Sequence, residues 1–367
     1  MKKIVIFMLL AFLLSLSVNA DSYATQYDNV NASELENCLD EQTREFFENN
    51  GIDAKDPNWV NRITSGGVLK HIWQLFTGGI KTPIKTGVLI ASIIFLTASL
   101  TAFGSSLRFE TAIYAAVLAI SALIATDIWK SVEIAINAVK SCCSFMMSFV
   151  PVFASVLALS GKTVTAPAMS TLLLGATEAV SFVATFTVLP LMGGYLALSI
   201  GAGVSPLLNI NGIVDGVKKF SMWIMSLLGT LFIGVLSIQT AVNSAADSVT
   251  LRTAKFILGT SVPVAGGVLG EAVSTISTSI GLLRSSIGVY GVVALAITLL
   301  PIVVEMILWR CMLMINISLG ELFSLPKITG ILRAVDSMLS VLMGIVLLVG
   351  GMFIISLAVV VMAGRSQ

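Results

Sequence analysis

The sequence has very few of the residues from which catalytic and metal sites are usually built. Its 367 residues include one histidine, His71, and four cysteines, and only 11% of the residues are charged. A single histidine excludes a histidine-based metal cluster or catalytic triad, and four scattered cysteines do not make a disulfide framework. The formal net charge of +1 predicts no nucleic-acid partner. No P-loop motif is present, so any ATP hydrolysis is expected from another protein.

Apolar residues take the place of the missing polar ones. They make up 56% of the chain, and the mean hydropathy is +0.96. Soluble domains carry roughly 25% charged residues, so this composition is typical of a polytopic membrane protein. An uncharged helix of about 20 residues crosses the hydrocarbon layer of a bilayer. The sequence therefore predicts an all-α membrane protein with six spans, at residues 86–107, 111–126, 179–214, 220–243, 287–304 and 337–364.

The first 20 residues have the layout of a secretory signal peptide. Lys2 and Lys3 precede an unbroken apolar run, and Val18-Asn19-Ala20 places small residues before the expected cleavage site. The alternative is an uncleaved first membrane helix, for which the apolar run is short. Either arrangement exports the segment that follows.

The remaining chain divides into a polar segment and a transmembrane domain. Residues 21–85 form the one polar region and are predicted to be exported, whereas residues 86–367 form the transmembrane domain. Within the exported segment, residues 68–80 are amphipathic and are expected to lie on the membrane surface.

Three pairs of landmarks indicate an internal duplication. Both V-P-V-x-x-x-V-L elements contain a proline, Pro151 and Pro263, and these lie 112 positions apart. V-L-P-L-M and L-L-P-I-V follow at an offset of 111, and I-N-G-I and I-T-G-I at an offset of 118. The common order and spacing predict a repeated unit of about 115 residues, with landmarks in residues 141–213 and 256–331.

The two V-P-V elements are predicted to be structural breaks. Pro151 marks the first, and Pro263 with Gly266 and Gly267 marks the second. Irregular backbone is tolerated at membrane depth only where it is buried in protein or faces water. We therefore predict a re-entrant helical hairpin in each repeat, with a pair of kinked ordinary spans as the alternative.

Three carboxylates lie in or beside apolar stretches. A charge at the bilayer centre costs roughly 3 kcal/mol or more, so such residues are functional candidates. Glu178 and Glu271 are the candidates for a polar pathway. Glu305 precedes Trp309 and Arg310, a pattern typical of an interfacial belt.

One stretch resembles a known family. The run Q-T-A-V-N-S-A-A-D-S-V-T-L-R-T-A-K-F-I-L-G-T-S-V-P-V-A-G-G, residues 239–267, resembles stage III sporulation protein AE of endospore-forming bacteria. L-R-T-A-K-F followed by the proline-glycine turn is its most specific part, and the earlier V-P-V element resembles the family's counterpart segment. The sequence departs from the family pattern at residues 319–326, where it reads L-G-E-L-F-S-L-P.

The resemblance implies a non-enzymatic membrane protein of the mother-cell membrane around the forespore. Its implied partners are other stage III sporulation membrane proteins, an ATPase and a forespore membrane protein, with membrane lipid around the spans. Together they form a secretion-like channel complex required for forespore development after engulfment. No cofactor is expected. The alternative is a secondary transporter in which duplicated broken helices surround a site at mid-membrane.

Overall fold

The computed structural model describes residues 27–28, 32–56, 59, 65–103, 106–188, 191–195, 197–198, 215–238 and 266–363. Regular structure in these ranges is entirely helical, and six of the helices are long and apolar enough to cross a membrane. This confirms an all-α protein with several membrane-spanning helices.

Nine helices carry the labels used below. They are α1 Glu34–Asn37, α2 Glu41–Asn49, α3 Ser65–Gly79, α4 Lys81–Phe103, α5 Ser106–Leu159, α6 Thr165–Phe182, α7 Asp215–Ile238, α8 Gly266–Leu322 and α9 Pro326–Ala363. α6 continues as the π-helical segment Val183–Val188.

Three long helices form the core of the bundle. α5 has 54 residues, α8 has 57 and α9 has 38. At 1.5 Å per residue, α5 and α8 are each about 80 Å long, whereas the hydrocarbon layer is about 30 Å thick. α8 and α9 are antiparallel neighbours joined by a short turn in which Ser324 has φ 56°. α5 is also antiparallel to α8, because Ser131 faces Glu305 while Phe149 lies against Gly291.

α5 unites three segments that the sequence analysis treats separately. The span predicted at residues 111–126, the charged stretch that follows it and the first V-P-V element are one continuous helix. The charged residues Lys130, Glu133 and Lys140 do not end the helix because they lie on its exposed face. The opposite face, with Val132 and Val139, is buried in the bundle.

The first V-P-V element is part of a continuous helix, and the structure does not confirm a re-entrant hairpin there. Pro151 lies inside α5, which continues to Leu159. The chain turns later, at Gly161, whose φ of 79° lies in the left-handed region that glycine adopts without steric cost. The Lys162 N–H donates to the carbonyl of Leu157 at 3.1 Å and closes the helix end. α5 and α6 then pack side by side as an ordinary antiparallel pair.

The fold gives no support to the predicted duplication. The positions 112 residues beyond the Gly161 turn lie inside the continuous helix α8. Pro263 lies outside the described residues, and Gly266 and Gly267 are the first two residues of α8. Pro190 and the I-N-G-I motif also lie outside the described residues, so none of the three landmark pairs is described in both copies.

Candidate functional site

Polar side chains meet in the middle of the bundle, in what we call the polar layer. Its members come from α4, α5, α8 and α9 and form three pairs. They are Thr86, Asp127, Ser131, Glu305, Arg310 and Asp336.

Each carboxylate of the polar layer has its own partner. The Thr86 hydroxyl donates to Asp127 Oδ2 at 2.8 Å, and the Ser131 hydroxyl donates to Glu305 Oε1 at 2.9 Å. Asp127 and Ser131 are four residues apart on α5 and therefore lie on one face of it. These hydrogen bonds tie α4 to α5 and α5 to α8, and they satisfy acceptors that would otherwise be costly to bury.

The third pair of the layer is an ion pair. Arg310 Nε lies 2.9 Å from Asp336 Oδ1, and the two side chains are 23% and 21% exposed. It joins α8 to α9 at a position well away from the turn that connects the two helices. Removing one partner of such a pair leaves a poorly solvated charge, so the pair fixes the register of the two helices.

The structure corrects the sequence-based interpretation of Glu305. α8 does not end near this residue but continues to Leu322, and Trp309 is only 2% exposed. These residues therefore belong to helix contacts within the bundle and not to an interfacial belt. The sequence contained one signal for this site, the polar residues Asp127 and Ser131 four positions apart. They can be assigned to one helix face only once α5 is known to be a continuous helix.

The predicted pathway residues lie elsewhere. Glu178 is on the exposed face of α6 and takes no part in the polar layer. Glu271 belongs to the first turns of α8, where its side chain lies outside the described part.

A second polar site lies where the N-terminal region meets α8. We call residues 32–56 with Tyr27, Asp28 and Trp59 the N-terminal cap. Its apolar side chains are buried together with the long helices. They include Tyr27, Leu35, Leu39, Phe46, Phe47, Ile52 and Trp59.

Asp40 anchors the cap to α8. One of its oxygens accepts from the Thr43 N–H at 3.3 Å and so caps α2, and the other accepts from the Thr298 hydroxyl at 2.8 Å. The Thr43 and Thr298 hydroxyl oxygens are 3.0 Å apart. One carboxylate therefore both starts a helix of the cap and holds that helix on α8.

Aromatic side chains hold the other end of the cap. The Trp59 indole N–H donates to Ser286 Oγ at 2.9 Å, and both residues are buried. Tyr290 meets the rings of Phe47 and Trp59 edge-on, with ring centroids 4.9 and 5.9 Å away. No sequence pattern predicted this contact, although Phe46, Phe47 and Trp59 are large apolar residues in a polar segment.

The described residues contain no group of three or more histidine, cysteine, aspartate or glutamate side chains placed to hold a metal ion. The described arrangement thus consists of paired polar contacts between helices. These contacts set the register of neighbouring helices and hold the cap on α8.

The comparisons with known proteins agree in one family. The profile of the stage III sporulation protein AE family matches residues 59–364. Stage III sporulation protein AE of Bacillus subtilis (strain 168) is 27% identical over 241 residues, which cover 64% of this chain and 60% of that protein. The match therefore spans less than two thirds of the relative's length. No solved structure matches.

Proposed function

Because the chain belongs to the stage III sporulation protein AE family, we propose that it is a membrane component of the mother cell-to-forespore channel. In this role it is a non-enzymatic part of a secretion-like complex required for forespore development after engulfment. Its partners are other stage III sporulation membrane proteins, an ATPase that supplies the hydrolysis and a protein of the forespore membrane. It resides in the mother-cell membrane around the forespore.

The family match over residues 59–364 carries this proposal as far as sporulation. The architecture supports a role as a structural subunit. Helices of 54 and 57 residues exceed one bilayer thickness and present a long surface for other subunits. The buried polar contacts pair helix with helix, which suits a component that holds its shape.

Deletion of the gene tests the proposal directly. We expect the deletion strain to complete engulfment and then to lose forespore gene expression, and we expect a wild-type copy to restore it. A forespore-specific transcriptional reporter measures the outcome in single cells. Normal reporter activity and normal spore yield in the deletion strain would contradict the proposal.

A secondary transporter is the second candidate, and the polar layer favours it. Asp127, Glu305 and the Arg310–Asp336 pair lie within helices long and apolar enough to span a membrane. A carrier that couples ions to solute needs such a group, because differential binding in two states drives transport. A structural subunit of a channel needs no such group. The two functions therefore differ in whether any one carboxylate is indispensable.

A further inference from the structure

α3 carries an apolar stripe that the bundle does not cover. Leu69 is 67% exposed, Trp73 is 66% exposed and Phe76 is 37% exposed. Their spacing of four and three residues places them on one helix face. The rings of Trp73 and Phe76 stack with centroids 5.8 Å apart, which makes the stripe a single apolar surface.

Another side of α3 is already occupied by the protein. Val68 packs against the buried core, the His71 ring lies 4.7 Å from that of Phe46, and Gly79 lies against Leu308 of α8. α3 is therefore fixed in orientation, and the stripe points away from the bundle.

The stripe continues into a face that is expected to contact lipid. α4 begins at Lys81, and backbone hydrogen bonds from Ile80 to Phe76 and from Ile84 to Ile80 link the two helices. The exposed apolar residues of α4 start with Ile84 and Val88, and α4 is a candidate membrane span. The uncovered surface of α3 thus lies directly at the entry of the chain into the bilayer.

The charged residues of α3 and α4 have one sign. Residues 65–103 contain Lys70, Lys81 and Lys85 and no aspartate or glutamate. All three lysines are exposed. Aromatic residues at the headgroup level with lysines beside them are typical of helices that bind an anionic membrane surface.

We propose that α3 is an interfacial anchor. Leu69, Trp73 and Phe76 insert into the boundary between headgroups and acyl chains, and the three lysines bind anionic headgroups. The anchor holds the N-terminal cap at a fixed height above the membrane, since α3 contacts the cap through His71 and Phe46.

The first measurement compares neighbouring positions on α3 in the full-length protein in nanodiscs. The nanodiscs contain equal parts of phosphatidylcholine and phosphatidylglycerol. Cys38 and Cys311, which are accessible, are replaced by serine, while the buried Cys142 and Cys143 remain. Single cysteines are then placed in the stripe, as Leu69→Cys or Trp73→Cys. The matched control on the same exposed turns is Gln74→Cys.

We expect a charged, water-soluble maleimide to label the two stripe positions at least several-fold more slowly than the Gln74→Cys control. Equal labelling rates would overturn the proposal, because an exposed stripe outside lipid is as reactive as its neighbours.

The second measurement identifies what covers the stripe. A bimane fluorophore on the Leu69→Cys variant is expected to be quenched by brominated lipids, and less so in pure phosphatidylcholine or after Lys70→Gln, Lys81→Gln and Lys85→Gln together. Slow labelling without quenching by lipid would mean that another protein surface covers the stripe, and would overturn the proposal. Quenching that is equal in both lipid compositions and is unchanged by the three lysine substitutions would overturn the role of anionic headgroups.

Discussion

At the scale of single residues, the polar layer is where the two proposed functions differ. In Glu305→Gln the amide oxygen still accepts the hydrogen bond from Ser131, so packing is retained while the charge is lost. We expect this variant to keep most of the sporulation efficiency at normal protein level. Spore counts with an immunoblot measure it, and Asp127→Asn serves as the parallel test. Loss of sporulation in a variant that still accumulates and assembles would favour the transporter.

The Arg310–Asp336 pair is expected to respond differently. Arg310→Ala leaves Asp336 without its partner in a poorly solvated position, which costs about 1–3 kcal/mol. Thermal unfolding of the purified protein should show this as a lower midpoint. The double variant Arg310→Met with Asp336→Leu should recover much of the loss. A single variant as stable as wild type would show that the pair does not fix the α8–α9 register.

The cap contains a carboxyl group with a perturbed pKa. Glu36 lies on the exposed surface of the cap, where partial burial, and then the neighbouring carboxylate of Asp53, raise its pKa. The folded cap thus holds this proton to a higher pH than the unfolded chain does, and its contribution to stability is lost as pH rises through the folded pKa. Glu36→Gln should raise the unfolding midpoint at neutral pH and change it little below the ordinary glutamate pKa. The exposed Glu48→Gln serves as the control, and an equal shift at both pH values would contradict this.

At the scale of helices, the sequence predicted their kind and number better than their limits. Six apolar helices were expected from uncharged runs, and six are found in the part of the chain that the structure describes, but charges were taken as helix ends. Lys130, Glu133 and Lys140 show why this fails, because a helix with one exposed face accommodates charges at every turn of that face. Pro151 lies within the continuous helix α5, because one proline removes only a single hydrogen bond from a helix that neighbouring helices support. The partner of a buried side chain, such as Ser131 for Glu305, depends on packing that no local pattern encodes.

The turn after α5 gives a prediction at this scale. Gly161 has a positive φ, so Gly161→Ala should cost about 1 kcal/mol. Pro151→Ala, by contrast, restores a backbone donor within α5 and should leave stability equal or higher. Thermal unfolding of the two variants side by side decides where the chain needs its break. Destabilisation by Pro151→Ala with a silent Gly161→Ala would restore the re-entrant interpretation.

At the scale of the whole molecule, the outer helices are staggered along the bundle. Gly87 of α4 lies against Met312 of α8, whereas Gly229 of α7 lies against Leu348 of α9, close to the level of Leu299 on α8. The midpoints of α4 and α7 are thus offset by about 20 Å along the long helices. Both can contact one hydrocarbon layer about 30 Å thick only if the bundle is tilted. Tilt also accommodates helices longer than the layer.

The tilt explains how the cap avoids lipid. The cap and α3 lie beyond the end of α4 at which the chain enters the membrane. On that side of a tilted bundle, lipid covers α4 but does not reach the cap. α7 runs parallel to α9, as the contacts of Lys218 with Ser337 and of Gly229 with Leu348 show. Val235 therefore lies at about the same height along the bundle as the cap. We expect lipid to cover Val235 while water surrounds the cap.

Labelling of these two positions is the decisive test, in intact protoplasts of vegetative cells that express the chain, because there the exported side of the membrane faces the medium. In a chain with Cys38 and Cys311 replaced by serine, single cysteines are placed by Glu48→Cys in the cap and Val235→Cys in α7, both at exposed positions. A membrane-impermeant maleimide is added before and after lysis. We expect the maleimide to label Glu48→Cys in intact protoplasts and to leave Val235→Cys unlabelled both before and after lysis. Protection of Glu48→Cys until lysis would contradict the exported cap, and labelling of Val235→Cys would contradict the tilted bundle.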